Sequence, residues 1–201
     1  MSATADVVII DSGGANLASL QYALDRLQVR SSVSSDAAVI AAAPRVLLPG
    51  VGAAADAMGR LRRAGLVGVL RALTAPVLGI CLGMQLLFER SEEGDTACLG
   101  IVPGSVRRLV PAPGRPVPHM GWNSLVPLSA DPLLAGLGPQ DYVYFVHGYA
   151  APVGPATIAS VDYGGPHSAV VRQANFRGVQ FHPERSGAVG ARLLRNFLEL
   201  G

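Results

Sequence analysis

The sequence predicts an α/β fold, a three-layer sandwich around a mainly parallel central sheet with an antiparallel extension. In the first half of the chain, short and continuously apolar segments alternate with segments whose apolar residues recur at helical spacing. From about Gly100 the chain changes to strand-like pieces separated by proline and glycine. Strands that are apolar throughout are typical of parallel sheets that helices cover on both faces.

The first half contains three predicted strands, which are Asp6 to Asp11, Arg45 to Gly50 and Pro76 to Ile80. A helix is predicted after the first strand from the spacing of Leu17, Leu20, Ala23, Leu24 and Leu27. Another helical stretch follows the second strand, with Met58, Leu61, Leu66 and Leu70 on one face. Ligands of such folds bind at the carboxyl ends of the strands, so the residues after these strands are the first candidates for a site.

The second half is predicted to extend the same unit with antiparallel strands. The strand-like pieces are Val102 to Val110, Tyr142 to Tyr149, Thr157 to Tyr163 and Ser168 to Arg172, and a final helix covers Val189 to Leu200. We find no repeat and no low-complexity linker in the sequence. Residues 1–201 are therefore predicted to form one domain.

Composition limits the classes of protein that fit. A chain of 201 residues with 50% hydrophobic content can bury about 70% of its unfolded surface in one core. The formal net charge is only +2, and scattered arginines carry it, which argues against nucleic-acid binding. No apolar run approaches the ~20 residues that cross a bilayer. Two cysteines and the lack of a signal-peptide pattern predict a protein of the reducing cytoplasm that binds no membrane.

Cys81 lies in a segment typical of a sharp turn that presents a nucleophile. Gly79 to Gly83 (GICLG) follows a predicted strand and has glycine two residues before and after the reactive position. Glycine is needed there because such a turn packs closely against neighbouring backbone. The N-terminal N–H groups and dipole of the following helix favour a thiolate. The alternative, which we keep for Cys98, is a buried structural cysteine.

A second segment, Gly178 to Glu184 (GVQFHPE), offers a base and a carboxylate. Residues two apart on an extended chain lie on the same side, so Glu184 can face His182. A carboxylate on one imidazole nitrogen fixes the tautomer and leaves the other nitrogen to accept the proton of Cys81. We therefore predict Cys81, His182 and Glu184 as a catalytic triad. The other histidines, His119, His147 and His167, are expected to be structural.

These two segments together resemble the class I, or triad, glutamine amidotransferases, over essentially the whole chain. Four further segments are similar to the histidine-pathway glutaminase subunits of that family: Pro49 to Gly52 (PGVG), Pro118 to Asn123 (PHMGWN), Tyr144 to His147 (YFVH) and His182 to Gly187 (HPERSG). The resemblance implies that Cys81 attacks the side-chain amide of glutamine, and that water then releases glutamate from a glutamyl thioester.

Roles for the residues around the triad are also implied. Backbone N–H groups of Val51, Gly52 and Leu82 would hold the oxyanion of the intermediate. The glutamine pocket would be formed by Gly50, Gln85, Glu93, Gly148 and Tyr149. Within it, Glu93 is suited by charge to the α-ammonium group of the substrate. The ordinary alternatives are a tight turn at Pro49 to Gly52, a helix-surface position for Gln85 and a loop acid at Glu93.

A partner protein is implied as well, because ammonia must reach a second active site before bulk water protonates it. In the resembling family this partner is a cyclase with a (β/α)8 barrel, and the heterodimer makes imidazole glycerol phosphate and AICAR. The docking face would be formed by Asn16, Pro118, Met120, Trp122, Tyr144 and Arg185, although a core position is the alternative for Trp122. We expect no metal and no cofactor. The glycine pair after the first strand, Gly13-Gly14, is too short for a dinucleotide-binding fingerprint.

Four positions depart from the family's pattern. Ser12 stands where Tyr is common, Ala15 replaces Gly, Gly148 stands where Ser or Thr is usual, and Arg185 replaces a frequent Lys. All four lie near the expected glutamine pocket or docking face, whereas the triad is intact.

Three other functions fit parts of the pattern. A different triad amidotransferase would share the chemistry, but the segment Pro118 to Asn123 argues against it. A cysteine peptidase or chaperone with a related turn commonly has His directly after the nucleophile, where this chain has Leu82. A non-enzymatic docking subunit would not need an intact triad.

Overall fold

The computed structural model describes residues 5–11 and 17–200. The first half of the chain alternates strands and helices, as its apolar pattern predicts. Its elements are β1 (Val7–Ile10), α1 (Leu17–Arg26), β2 (Ser31–Ser34), α2 (Ala37–Ala41), β3 (Val46–Gly50), α3 (Ala54–Arg63), α4 (Leu66–Ala72), β4 (Val77–Cys81) and α5 (Leu82–Gln85).

The second half is mostly strands and ends in one long helix. Its elements are β5 (Phe88–Ser91), β6 (Thr96–Ala97), β7 (Val102–Arg108), β8 (His119–Ser124), β9 (Val126–Pro127), β10 (Tyr142–His147), β11 (Tyr149–Ala150), β12 (Thr157–Asp162), β13 (Pro166–Gln173), β14 (Phe176–Val179) and α6 (Gly187–Leu198). Short 3-10 turns lie at Glu93–Asp95, Pro132–Leu134 and Pro183–Arg185.

Within the described residues the central sheet has eight strands, in the order β2-β1-β3-β4-β14-β13-β12-β9. The strands from β2 to β14 run parallel, and the pairs from β14 to β9 are antiparallel. The predicted fold class is therefore confirmed. Since β14 pairs directly with β4, the segments that follow these two strands meet at one edge of the sheet. These are the segments with His182 and Cys81.

Helices cover both faces of the parallel strands, and this explains why the strands are apolar throughout. On one face Val8 and Leu48 belong to a core shared with α2, α3 and α4. On the other face Ile9 and Leu47 belong to a core shared with α1 and α6. Alternate residues of each strand thus enter different cores, which gives the three layers of the sandwich.

The second half of the chain is less uniform than the antiparallel extension that the sequence predicts, since β5 and β7 pair in parallel. Strands β8 and β10 form a separate two-stranded sheet, and β11, β7, β5 and β6 form a four-stranded sheet. The predicted strand Tyr142 to Tyr149 is divided at Gly148, where β10 ends and β11 has not yet begun. The β8–β10 pair contains Met120, Trp122 and Tyr144 of the residues expected at the docking face.

The helical stretch around Met58 to Leu70 is two helices instead of one. The chain leaves α3 at Ala64, and Gly65 takes the left-handed conformation with φ of 69° before α4 begins. Glycine accepts this conformation without the steric strain of other residues, so the apolar spacing continues although the helix is interrupted. Among the described residues, no helix has the length and apolar character needed to span a membrane.

Candidate active site

Cys81 is the last residue of β4 and lies on a strained turn. Its backbone has φ of 55° and ψ of −112°, a combination that residues with a side chain rarely adopt. The two flanking glycines permit the turn. A Cβ on Gly79 would lie 2.7 Å from the carbonyl oxygen of Gly83, and a Cβ on Gly83 would overlap the carbonyl oxygen of Leu48. The close packing predicted for this segment is therefore present.

The helix after the turn is shorter than the sequence pattern suggests, because α5 has only four residues. A macrodipole sums over aligned peptide units, so one helical turn gives Cys81 little stabilisation of a thiolate.

His182 links the nucleophile and the carboxylate. Its Nδ1 lies 2.7 Å from Oε1 of Glu184, and the imidazole also interacts with the Cys81 side chain. Burial lowers the pKa of His182, but the interactions with Cys81 and Glu184 outweigh it and raise that pKa to about 10. At neutral pH this favours the imidazolium form of His182. The predicted triad residues are thus brought together at one cavity.

Ser186, which sequence reasoning did not single out, ties His182 to the neighbouring strand. Its hydroxyl donates to the carbonyl oxygen of His182 at 2.7 Å and accepts from the backbone N–H of Tyr144 at 3.0 Å. The N–H of His182 donates in turn to the carbonyl of Tyr144 at 2.9 Å. A serine directly after a short turn is the only sequence signal for this role.

A cavity of about 430 Å³ opens in front of Cys81. It is lined by the triad and by all eight residues expected for the oxyanion site and glutamine pocket, which are Gly50, Val51, Gly52, Leu82, Gln85, Glu93, Gly148 and Tyr149. Their placement around one cavity supports the roles predicted for them. At Gly148, where the family usually has Ser or Thr, the structure leaves room for a side chain. A Cβ there would meet only Val117, at 3.7 Å.

Gln85 is a buried residue, so the helix-surface alternative is wrong. Its Nε2 donates to the carbonyl oxygen of Tyr149 at 2.8 Å and to Oε1 of Gln180 at 2.9 Å. Both amide hydrogens are therefore engaged by the protein, and Oε1 of Gln85 remains to accept from a ligand. An ammonium group is the matching donor.

Glu93 has a structural contact in addition to its place in the cavity. Its Oε2 accepts from the backbone N–H of Ala54, at 2.7 Å, at the start of α3. This contact holds the carboxylate at the cavity wall, and Oε1 is the oxygen left to bind a cation. The loop-acid alternative therefore describes only part of its environment.

Five of the residues expected at the docking face lie on β8, on β10 or in the lining of the cavity. Met120 and Trp122 on β8 are 62% and 55% exposed, so the core alternative for Trp122 is wrong. The rings of Trp122 and Tyr144 meet edge to face at 5.8 Å, and the guanidinium of Arg185 lies 4.9 Å from the centre of the Tyr144 ring. Pro118 and Arg185 line the cavity itself. Asn16 lies outside the described residues, as do Ser12 and Ala15.

Sequence reasoning also missed Gln180, which is fully buried and lies with its Nε2 3.8 Å from Sγ of Cys81. Its alternation with His182 along the strand was the available signal.

His119 and His147 are also buried. Burial lowers the pKa of His119 to about 4 and the pKa of His147 to about 3. Both are neutral and structural, as expected. No cluster of metal-ligand type is found in the described ranges.

Comparison with known proteins agrees with this geometry. The family model "Glutamine amidotransferase class-I" matches residues 8–200. The chain is 61% identical to "Imidazole glycerol phosphate synthase subunit HisH" of Xanthomonas euvesicatoria pv. vesicatoria, over 97% of this chain and 98% of the relative. It is 56% identical to the subunit of the same name from Xylella fastidiosa (strain Temecula1), over the same shares.

Solved structures share the fold at lower identity. A glutamine amidotransferase superposes with a TM-score of 0.75 at 22% identity, over 96% of this chain and 97% of that one. The glutaminase domain of Trypanosoma brucei CTPS superposes with a TM-score of 0.65 at 15% identity, over 97% and 94%. The chain therefore belongs to the class I glutamine amidotransferase family and, within it, to the imidazole glycerol phosphate synthase HisH subunits.

Proposed function

We propose that this chain hydrolyses glutamine to glutamate and ammonia at Cys81, and that it passes the ammonia to a cyclase subunit that makes imidazole glycerol phosphate and AICAR in histidine biosynthesis. The observation that carries the proposal is the grouping of Cys81, His182 and Glu184 at a cavity that also contains Gln85 and Glu93. The names of the full-length relatives give the reaction its pathway.

In the first half of the reaction the Cys81 thiolate attacks the amide carbon of glutamine. The negative charge moves to the former carbonyl oxygen, which backbone N–H groups of Val51, Gly52 and Leu82 stabilise. The C–N bond then breaks while the His182 imidazolium gives its proton to the leaving nitrogen, which departs as ammonia. A glutamyl thioester on Cys81 and a neutral His182 remain.

In the second half, His182 accepts a proton from water, whose oxygen attacks the thioester carbon. The C–S bond breaks, glutamate leaves, and the thiolate–imidazolium pair is restored. Glu184 stays ionised throughout, because its role is to orient His182 and to stabilise the imidazolium. Glutamine is held by Gln85 and Glu93 at its ammonium end, with Gly50, Gly148 and Tyr149 forming the walls of the pocket.

The partner proposed for this chain is a cyclase with a (β/α)8 barrel, bound to the face formed by Asn16, Pro118, Met120, Trp122, Tyr144 and Arg185. An exposed Trp and a half-buried Tyr beside an Arg are a common composition for the centre of an interface. Because Pro118 and Arg185 of this face line the cavity, we propose that a protein bound there receives the ammonia released at Cys81.

We further propose that residues 1–201 act as one domain and that the chain works in the cytoplasm. Both cysteines are buried free thiols, which fits a reducing compartment.

The test is glutamate release from glutamine by wild type, Cys81→Ala and Cys98→Ala, each alone and with the cognate cyclase and an analogue of its substrate. Cys98→Ala is the matched control because that thiol is also buried but does not line the cavity. We expect the cyclase to stimulate wild type and Cys98→Ala, and Cys81→Ala to be inactive. Hydrolysis that needs Cys81 but ignores the cyclase would reassign the pathway, and normal hydrolysis by Cys81→Ala would refute the reaction.

A further inference from the structure

The contact between Gln180 and the Cys81 sulfur has no role in the reaction described so far. Gln180 follows β14, two residues before His182, and its side chain is fully buried. Its Nε2 lies 3.8 Å from Sγ of Cys81, within the range of hydrogen bonds to sulfur. A buried amide requires polar partners, and one of the two partners of this amide is the atom that reacts.

The direction of the Gln180 amide follows from an anchor that can only accept hydrogen bonds. This anchor is the carbonyl oxygen of Tyr149, which accepts from Nε2 of Gln85 at 2.8 Å. The second hydrogen on that nitrogen points to Oε1 of Gln180, at 2.9 Å. Because Oε1 of Gln180 is engaged in this way, its NH2 group is the end that faces Cys81.

Two neutral histidines hold the anchor from the other side. His147 donates from Nδ1 to the same Tyr149 oxygen at 2.8 Å, so its Nε2 carries no hydrogen and accepts from Nδ1 of His119 at 3.1 Å. His119 is itself fixed by stacking on Tyr163, with ring centres 3.9 Å apart. The Tyr149 carbonyl is thus immobilised by contacts that do not involve the triad.

We propose that Gln180 is a further catalytic residue, which donates a hydrogen bond to the Cys81 thiolate, and that Gln85 positions it by fixing the direction of its amide. This inference rests on the proposed glutaminase reaction and extends it. Sulfur carries negative charge before the attack on glutamine and again when the thioester breaks. A donor aimed at the sulfur stabilises both states, and hydrogen bonds to charged acceptors are stronger than neutral ones.

The experiment is the pH dependence of Cys81 alkylation by iodoacetamide in the full chain, without glutamine. Only the thiolate reacts, so the midpoint of the rate profile reports how easily it forms. Tryptic peptides separate the two cysteines, since Cys81 lies in the peptide Ala72 to Arg90 and Cys98 in Ser91 to Arg107. Mass spectrometry then follows Cys81 alone.

Gln180→Met removes the donor and keeps a side chain of similar length. We expect its midpoint to move upward by about one pH unit, since a hydrogen bond to a charged group usually has an effect of that order. Gln85→Met should move the midpoint in the same direction by less. Gln173→Met, the same change at an exposed position of β13, should leave it where it is in wild type.

Gln180→Glu is the second variant, used in case Gln180→Met does not fold. Its carboxylate can still accept from Gln85 but places negative charge beside the sulfur, so the upward shift should be larger. Unchanged midpoints in folded Gln180 variants would overturn the inference. That outcome is separate from failure of the proposed function, because alkylation needs no glutamine hydrolysis.

Discussion

His182 connects the acid–base chemistry of the site to its structure. The interactions with Cys81 and Glu184 keep its pKa near 10 although the ring is buried. A group whose pKa is higher in the folded than in the unfolded chain stabilises the fold fully below the unfolded value, which is about 6.5 for His. This stabilisation is lost as the pH rises from there to about 10.

Glu184→Gln should lower the pKa of His182, because a neutral amide does not stabilise the imidazolium. NMR titration of the His182 ring measures this directly, with His182→Asn to assign the signal. Glutaminase turnover should fall by about a hundredfold or more. The stability lost by the variant should be greatest below pH 6.5 and should disappear towards pH 10. Glu199→Gln, at an exposed position of the C-terminal segment, is the control, and an unshifted His182 titration would contradict the account.

At this scale the sequence predicted the residues whose signal is local. Cys81 was found from its glycine spacing, and Glu184 from its distance of two residues from His182. Gln180 and Ser186 were missed because their roles depend on partners distant in the sequence, Gln85 and Tyr144. A single sequence marks them only weakly, through the alternation of Gln180 with His182 and the position of Ser186 after a short turn.

The elements around the turn depend on close backbone packing between α5 and β3. This packing holds the start of α5 beside Leu48 and brings Cys81 level with Gly50 in the parallel ladder. Sequence analysis anticipated the need for small residues here. It did not anticipate the break between α3 and α4, because the apolar spacing continues across Gly65, and it did not identify β2, whose residues are half-buried.

Gly83→Ala should prevent normal folding of this region, since the added methyl group would overlap the Leu48 carbonyl. We expect a loss of about 3 kcal/mol or more in the free energy of unfolding, at the upper end for overpacking. The matched control is Gly68→Ala in α4, where an added Cβ has nothing within 4 Å. Because Ala has the higher helix propensity, this change should raise the free energy of unfolding by as much as about 1 kcal/mol. Equal unfolding midpoints in urea for the two variants would contradict this packing.

The β8–β10 pair presents the proposed docking face as a separate small sheet. Trp122→Ala should weaken cyclase binding by at least about tenfold, as expected when a central aromatic anchor is removed. Glutaminase activity without the cyclase should remain, because Trp122 does not line the cavity. Titration calorimetry measures the binding, with Leu128→Ala as an exposed apolar control. Unchanged affinity of the Trp122 variant would place the docking face elsewhere.

At the scale of the whole molecule, a buried ionic group ties the turn Pro132–Leu134 to the antiparallel part of the central sheet. Asp131 has no exposed side-chain surface and pairs with Arg172 and Arg177 at 3.1 and 3.0 Å. Burial alone would raise the pKa of Asp131, but hydrogen bonds from Arg177, the Leu133 N–H and Arg172 together lower it. Its stabilising effect is thus present above about pH 4 and is lost as the pH falls further.

Asp131→Asn should lower the free energy of unfolding by about 3 kcal/mol at neutral pH, because it leaves Arg177 charged and largely buried without its partner. The difference from wild type should shrink as the pH falls below about 4, because the unfolded chain then takes up the proton that the folded Asp131, with its lowered pKa, resists. Urea unfolding at several pH values measures this. Asp141→Asn, whose carboxylate caps a loop through the Gly138 N–H at 2.9 Å, is a control expected to cost less. Equal losses in the two variants would argue against the ion pair.

The overall architecture was predictable because it depends mainly on the burial of parallel strands on both faces. The apolar pattern of β1, β3 and β4 indicates this burial directly. The arrangement of β5 to β11 was not predictable, since these strands have mixed polarity and most of them pair outside the central sheet. That part of the chain nevertheless contains most of the residues proposed to face the cyclase.

The most direct test of the central claim is transfer of the amide nitrogen. The chain and its cyclase are supplied with amide-15N glutamine in the presence of excess unlabelled ammonium, and the nitrogen of the imidazole product is analysed by mass spectrometry. The account predicts 15N in the product with wild type, and only unlabelled nitrogen with Cys81→Ala. Label delivered equally well by Cys81→Ala, or wild-type product that matches bulk ammonium, would contradict it.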